Sequence, residues 1–408
     1  MAIRKRGKNT WEITIHAGQD EKGKRVRQFH SFKGTKAMAE QKHRELQTAV
    51  DRGVPVSTNK INFAEWTNRW LLEYVTPNLR QMTKERYERA MRKHVIPEIG
   101  HIKLTNLTPR HIQSLQAKLA DNGMSPAGID LIHNIISSCL KYALRMEVIW
   151  RNPAQAVTPP RHERTEIEPP DIAGVKKVLS LAKETDPISH ACLHLIAYTG
   201  IRRGEALALQ WQNVDLENGT ISIVRTLGRS VEKGLLFEKP KTNSGRRVID
   251  LDDGTVSVLR AHQGHQLLNK SQLEDAYEDN DLVFANALGQ PMNPMMITRT
   301  FKRLAKECGL KDHKLHSLRH FHASVTLQSG QSLLLISKRL GHAGIATTAD
   351  IYGHILPGWQ KEAANARQAE DPLNHERSGN HADRSRTDIA DEWQYRDWKR
   401  MFQHHVAF

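Results

Sequence analysis

The chain has 408 residues, 38% hydrophobic and 26% charged, enough for two or three domains with separate cores. No apolar run approaches the ~20 residues that cross a bilayer, and the basic start MAIRKRGKNTWEI lacks the apolar stretch of a secretory signal. A formal charge of +15 and a pI near 9.7 point to a polyanionic partner, so a cytoplasmic, nucleoid-associated protein is expected.

The charge is uneven. Residues 1–60 hold 14 Lys/Arg against 6 Asp/Glu, over half the net charge in a seventh of the chain. WEITIHAG and RVRQFHSF alternate apolar and polar residues around the turn DEKGK, which predicts short strands over 10–32. A helix is expected from Lys36 to Asp51, and 53–60 (GVPVSTNK) is a linker. Residues 1–55 are thus expected to form a small sheet with one helix. Its cations, among them Arg4, Lys5, Arg6, Lys8, Lys24, Arg25 and Arg27, suit a DNA groove or a solvated face.

Residues 61–155 are expected to be a helical domain. Phe63, Trp66, Trp70 and Tyr74 recur at helical spacing. So do Ile132, Ile135, Ile136, Cys139, Leu140, Ala143 and Leu144, behind a start at Ser125-Pro126. Lys84, Arg86, Arg89, Arg92, Lys93 and Arg110 fall on other faces, suited to phosphates but equally to water. Segment 152–170, with five prolines, marks a second boundary.

From 165 to 365 the pattern is mixed. Helices are expected over 171–184 and 189–199, with another ending near Trp211. Strands follow at 220–227 (TISIVRTL), near 231–238 and at 246–251, with helices from 255 and again from 294 to 365. Residues 366–408 begin as a polar, disorder-prone tail and close on Trp393, Tyr395, Trp398, Met401 and Phe402, which suit a terminal amphipathic helix. Overall this is a multidomain, mainly α chain with small β parts. Cys139, Cys192 and Cys308 are far apart in helix-like surroundings and are expected to be buried thiols.

GxxxxGK[ST], GxGxxG and HExxH motifs do not occur, and the helical pairs His190/His194 and His316/His320 lack further ligands at matching positions, so neither cofactor nor metal is expected. What stands out is a row of cationic motifs: TGIRRGE (199–205), PKTNSGRR (240–247), HSLRH (316–320) and LGH (340–342). Tyr352 follows in TTADIYGH. Attack on a phosphodiester builds negative charge on the phosphoryl oxygens, and planar guanidiniums at Arg202 and Arg319 are suited to hold it. His316 and Arg319, three apart on a helix, reach one phosphate together.

The four motifs and the tyrosine, in this order, resemble the tyrosine recombinase family, which includes integrases of phages and conjugative elements. The resemblance implies that Tyr352 is a nucleophile that forms a 3′-phosphotyrosyl link. It implies that His316 assists removal of the phenol proton, that His342 donates to the phosphate, and that Glu205 orients Arg202. His320 would be a packing or support residue, with His322 a local departure in packing. The general-acid lysine would be Lys241, with Lys239 its rival. The expected modules are an arm-type DNA-binding domain (1–55), a helical, SAM-like core-binding domain (61–155), a catalytic domain (165–365) and the tail (366–408). Expected partners are double-stranded DNA attachment sites, three further copies in a homotetramer, and DNA-bending or directionality factors from the host or the element. The activity would be integration or excision of a mobile or viral genome. A type IB topoisomerase or a non-catalytic DNA-binding regulator are the alternatives.

Overall fold

The computed structural model describes residues 2–19, 25–51, 61–161, 168–240 and 243–353, with side chains for all of these except 16–19, 25–28, 49–51 and 243. Lys24, Lys241 and the tail 366–408 lie outside the described residues. The chain divides into two compact units, Met1–Arg164 and Thr165–Phe408.

The first unit begins with an antiparallel sheet in the order β1-β2-β3: β1 (Ile3–Gly7), β2 (Thr10–Gln19) and β3 (Arg25–Lys33). Strand alternation turns Ile13 and Ile15 to one face, where helix α1 (Lys36–Asp51) supplies Ala39 and Leu46 to a small core with Ile3, Trp11 and Phe32. Register places Arg4, Glu12 and Ser31 side by side on the other face, and Thr14 beside the exposed Phe29. β1 has no apolar period that would mark it in the sequence. It is an edge strand held by backbone pairing to β2.

Residues 61–161 build a separate helical core. Helix α2 (Phe63–Trp70) starts at a capping box in which the Asn62 side chain accepts from Glu65 N and the Glu65 carboxylate accepts from Asn62 N. Phe63, Trp66 and Trp70 are buried and Tyr74 packs partly, as the spacing predicts. Helix α3 (Gln81–Ala90) follows. Both helices run on through a π-helical turn, Leu71–Val75 and Met91–Val95, and each turn is followed two residues later by a proline, Pro77 or Pro97. A proline offers no N–H to the preceding turn, so the backbone ladder is already interrupted there. Helices α4 (Pro109–Asp121) and α5 (Pro126–Arg145) complete the core, α5 beginning at the Ser125 cap and burying Ile132, Ile135, Ile136, Cys139, Leu140 and Ala143.

The second unit packs around two helices capped by aspartates, α6 (Ile172–Thr185) and α7 (Pro187–Thr199). α7 is buried on nearly every face, the signature of a central helix. After it come α8 (Arg203–Ala206), β4 (Val214–Asp215), β5 (Thr220–Ile223), the hairpin β6 (Thr226–Ser230) and β7 (Gly234–Glu238), and β8 (Arg247–Asp250). Helices α9 (Asp253–Leu273), α10 (Pro294–Glu307), α11 (Ser317–Gln328), α12 (Leu333–Leu340) and α13 (Ile345–Tyr352) close the described chain. No described helix is long and apolar enough to cross a membrane. The mainly helical class with small sheets is as expected.

Three local expectations need correction. TISIVRTL is not one strand: β5 joins a β4-β5-β8 sheet, while β6 pairs with β7 in a separate two-stranded sheet. The break falls at Val224-Arg225, where Arg225 Nε turns back to the Ala208 carbonyl (2.8 Å). The helix expected to end near Trp211 stops at Ala206, because Gln210 bridges Leu282 and Trp211 N donates to Asp281 O (2.9 Å), drawing the chain out of the helix. Finally, Cys139 and Cys192 are buried but Cys308 is only partly so.

Candidate active site

The site grows from two helix ends. α7 and α12 each finish at a glycine in the left-handed region, Gly200 and Gly341, both with φ of 67°. A side chain at either would be strained and would also collide: a Cβ on Gly200 would sit 2.6 Å from Leu340 Cδ2, and one on Gly341 2.8 Å from Arg247 Nη1. The carbonyls left at these ends need donors. Arg319 of α11 supplies both, Nη1 to Gly200 O (2.6 Å) and Nη2 to Leu340 O (2.8 Å). Arg319 is 2% exposed, and burial with the charge of Arg202 nearby pushes its guanidinium down to about 9, still protonated at neutral pH.

Arg202 opens α8. It donates from Nη1 to Glu205 Oε1 (2.8 Å) and from Nη2 to Gly341 O (3.3 Å), while its backbone N–H bonds Glu205 Oε2 (2.9 Å). Its side chain is 42% exposed, so the fork is tethered on one side and open on the other. The neighbouring Arg203 turns away to Thr298 Oγ1 (2.6 Å). Glu205 is buried between Arg202 and Arg247, whose Nη2 donates to Glu205 Oε2 at 2.9 Å. Burial works to raise this carboxyl, but the hydrogen bond and charge of Arg247, with those of Arg202, hold it below the usual range.

Three histidines line the same place. His316 stands at the position before the first residue of α11 and meets His320 edge-on, with ring centres 4.9 Å apart. His342 Nδ1 is fixed by Thr348 Oγ1 at 2.7 Å. Burial lowers all three. For His316 and His342 the charges of Arg319 and Arg202 add to it, and for His320 those of His316 and Arg319, bringing His320 and His342 to about 4. The imidazoles therefore sit neutral in a strongly positive field, which is the field an anion would find.

Tyr352 ends α13. Its phenol is 2% exposed, among Ala323, Leu327, Ile336 and Leu340, and burial raises it to about 12. The phenol oxygen shares a hydrogen bond with His320 Nδ1 (2.7 Å), the residue expected only to support. Sequence reasoning also gave two neighbours no role in the site. His322 Nε2 accepts from Arg339 Nε (3.2 Å), and burial beside Arg339 lowers it to about 3. Arg247, in the motif but without an expected role, is the other. An arginine at the start of a strand whose next inward residue is a core isoleucine, Ile249, was the available signal.

The remaining candidates lie elsewhere. Lys239 is exposed just beyond β7, and Lys241 is outside the described residues. Arg4, Lys5 and Arg6 are exposed on β1, Arg6 pairing with Glu12 (2.9 Å), and Arg25 and Arg27 lie on β3 without described side chains. In α3, Arg86 is exposed and Lys84 half-buried. His194 is a packing residue, stacked on Tyr198 and bonded to Thr255 Oγ1 (3.3 Å).

Residues 173–357 match the phage integrase family model, and residues 62–120 match the phage integrase N-terminal SAM-like domain. Across 383 residues the chain is 28% identical to a XerC-like tyrosine recombinase of Caldanaerobacter subterraneus subsp. tengcongensis, covering 89% of this chain and 96% of that one. It is 26% identical to the ICEBs1 integrase of Bacillus subtilis, over 67% of this chain and 74% of that one. Among solved structures, the Tn1549 transposon integrase in complex with transposon right end DNA superposes with a TM-score of 0.63 at 17% identity, over 76% of this chain and 99% of that one. A lambda integrase tetramer bound to a Holliday junction gives 0.55 at 15% identity, over 86% and 94%. Fold, site and relatives together define a tyrosine-type site-specific DNA recombinase. The chain belongs to the phage integrase family.

Proposed function

We propose that Tyr352 attacks the scissile phosphate of a DNA attachment site, leaving a 3′-phosphotyrosyl link and a free 5′-hydroxyl that a partner strand later uses to reverse the step. Arg202 and Arg319 hold the phosphoryl oxygens and His342 adds a third donor. His316 takes the phenol proton and Glu205 orients Arg202. Lys241 protonates the departing 5′ oxygen, with Lys239 the alternative. His320 acts earlier than chemistry, holding the phenol in its apolar pocket until α13 shifts. Glycines, Gly344 and Gly353, flank α13 at both ends, where the backbone is least restrained. One observation carries the reading: a phenol, three histidines and two arginine forks, from segments up to about 150 residues apart, meet where α7, α8, α11, α12 and α13 end or begin.

The working modules follow the same logic. Residues 1–55 bind arm-type DNA through the open sheet face bearing Arg4 and Arg6, 61–155 grip the core site, and 165–365 cut it. The tail 366–408 docks on a neighbour. Four copies act on double-stranded DNA beside the nucleoid, as the lambda integrase tetramer does on its junction, with helper factors setting direction between integration and excision of a mobile element. A nicked suicide substrate tests the chemistry. Wild type traps as a covalent adduct and Tyr352→Phe does not; an adduct that survives in the variant overturns the assignment.

A further inference from the structure

Arg247 has no task in the chemistry above, yet its side chain is 7% exposed and every donor group of its guanidinium is engaged. β8 alternates, so Arg247 faces inward with Ile249 while Val248 and Asp250 face out. A buried guanidinium is retained only where its charge and donors are matched. Here Nη2 donates to Glu205 Oε2 (2.9 Å) and Nη1 reaches Glu205 Oε1 (3.4 Å). Nη1 also donates to the Gly245 carbonyl (3.1 Å), and Nε to that of Arg339 (2.6 Å).

These partners come from three different motif segments. Glu205 is the carboxylate that tethers Arg202. Gly245 belongs to the loop that carries Lys241. Arg339 is the last residue but one of the helix whose final carbonyl, that of Leu340, anchors Arg319 and which leads into His342. The turn between them is packed so closely that a Cβ on Gly341 would touch Arg247 Nη1, while Arg202 bonds the Gly341 carbonyl from its own side.

We propose that Arg247 is a positioning residue for strand cleavage: through Glu205 it sets the Arg202 fork, and through Arg339 O it sets the turn that presents His342, tying both to the lysine-bearing loop. The inference rests on the recombinase reading of the site. The low-lying Glu205 carboxyl is consistent with it, since Arg247 is the strongest influence keeping that group ionised.

The experiment compares wild type, R247Q, R247K, E205Q and the R247Q/E205Q double variant in single-turnover trapping on the nicked substrate, with DNA affinity and melting temperature measured for each. R247Q is expected to slow trapping by about 10²-fold while DNA affinity stays within about twofold. R247K keeps the charge but not the fork and falls between. The double variant should be no slower than E205Q alone, because the two residues act as one unit. On a substrate whose scissile phosphate is replaced by a methylphosphonate, with less charge to hold, the R247Q deficit should shrink. Trapping by R247Q at the wild-type rate overturns the proposal. So does a deficit that adds to that of E205Q and persists on the methylphosphonate, which is the mark of a merely structural role. If wild type itself traps nothing, the nucleophile assignment fails instead. The melting temperatures of the four variants then still decide the link, with non-additive losses supporting it and additive losses rejecting it.

Discussion

The proposed phosphate clamp and the proposed nucleophile share one site but are built on opposite plans. Arg319 and Arg202 are fixed by carbonyls of two helix ends and by a buried carboxylate, so their orientation is settled by the fold. Tyr352 sits in an apolar pocket, bonded to His320 and raised to about 12, so the fold holds it in its least nucleophilic form. The contrast teaches where each kind of group can be preorganised. A cation can be anchored on one side and left to act from the other. A phenol that must become a phenolate cannot be both stowed and reactive, and its activation has to be a movement.

The sharpest way to break this comparison is to disable each half separately. Arg319→Ala should abolish trapping and also lower the melting temperature markedly, since two helix ends lose their donor and each orphaned carbonyl costs about 1–3 kcal/mol. Tyr352→Phe should abolish trapping with a melting temperature close to wild type, because only one hydrogen bond of about 1 kcal/mol goes. Equal destabilisation of the two would erase the distinction. Next in size, His342→Ala should slow cleavage by about 10²–10³-fold, the usual cost of one fixed donor. Thr348→Val, which frees His342 Nδ1, should cost less, and single-turnover rates compare them.

Acid tests the neutral histidines. His320, His322 and His342 have folded values of about 4, 3 and 4, below the 6.5 of the unfolded chain. The unfolded state therefore binds more protons between these limits, and stability falls as pH drops from about 6.5 towards 4. Melting scans at pH 7, 6 and 5 should show a steady decline, and a flat profile would contradict the neutral cluster. The smallest effect probes the stowed phenol. Ile336→Val should loosen its pocket at a cost of about 1 kcal/mol, and trapping should accelerate by up to about fivefold if release of Tyr352 limits the rate. An unchanged rate would place the slow step elsewhere.

Much of the candidate site was legible because the residues that come together lie in short motifs: Arg202 with Glu205, His316 with Arg319, His342, and Tyr352 ten residues later. The anchors were not. Arg319 bonds Gly200, 119 residues away, and does so through backbone carbonyls that every residue possesses, so no residue type announces the pairing. The phenol's hydrogen-bond partner was not legible either, for a related reason. His316 and His320 lie on adjacent turns, and only the packing of α13 against α11 decides which imidazole it meets. In the fold, apolar periods located the helices well. They failed at TISIVRTL, where one continuous β pattern serves two sheets, and at β1, whose basic sequence has no period to read.

The way Arg319 is held has an electrostatic consequence. Carbonyl dipoles fix it without cancelling its charge, whereas Arg202 and Arg247 divide the single carboxylate of Glu205. Among the described residues, these three guanidiniums share one carboxylate and leave a positive surplus in the site. A phosphodiester carries one negative charge at rest and gains a second as a phenolate adds to it. The positive surplus thus favours the more negative transition state over intact DNA.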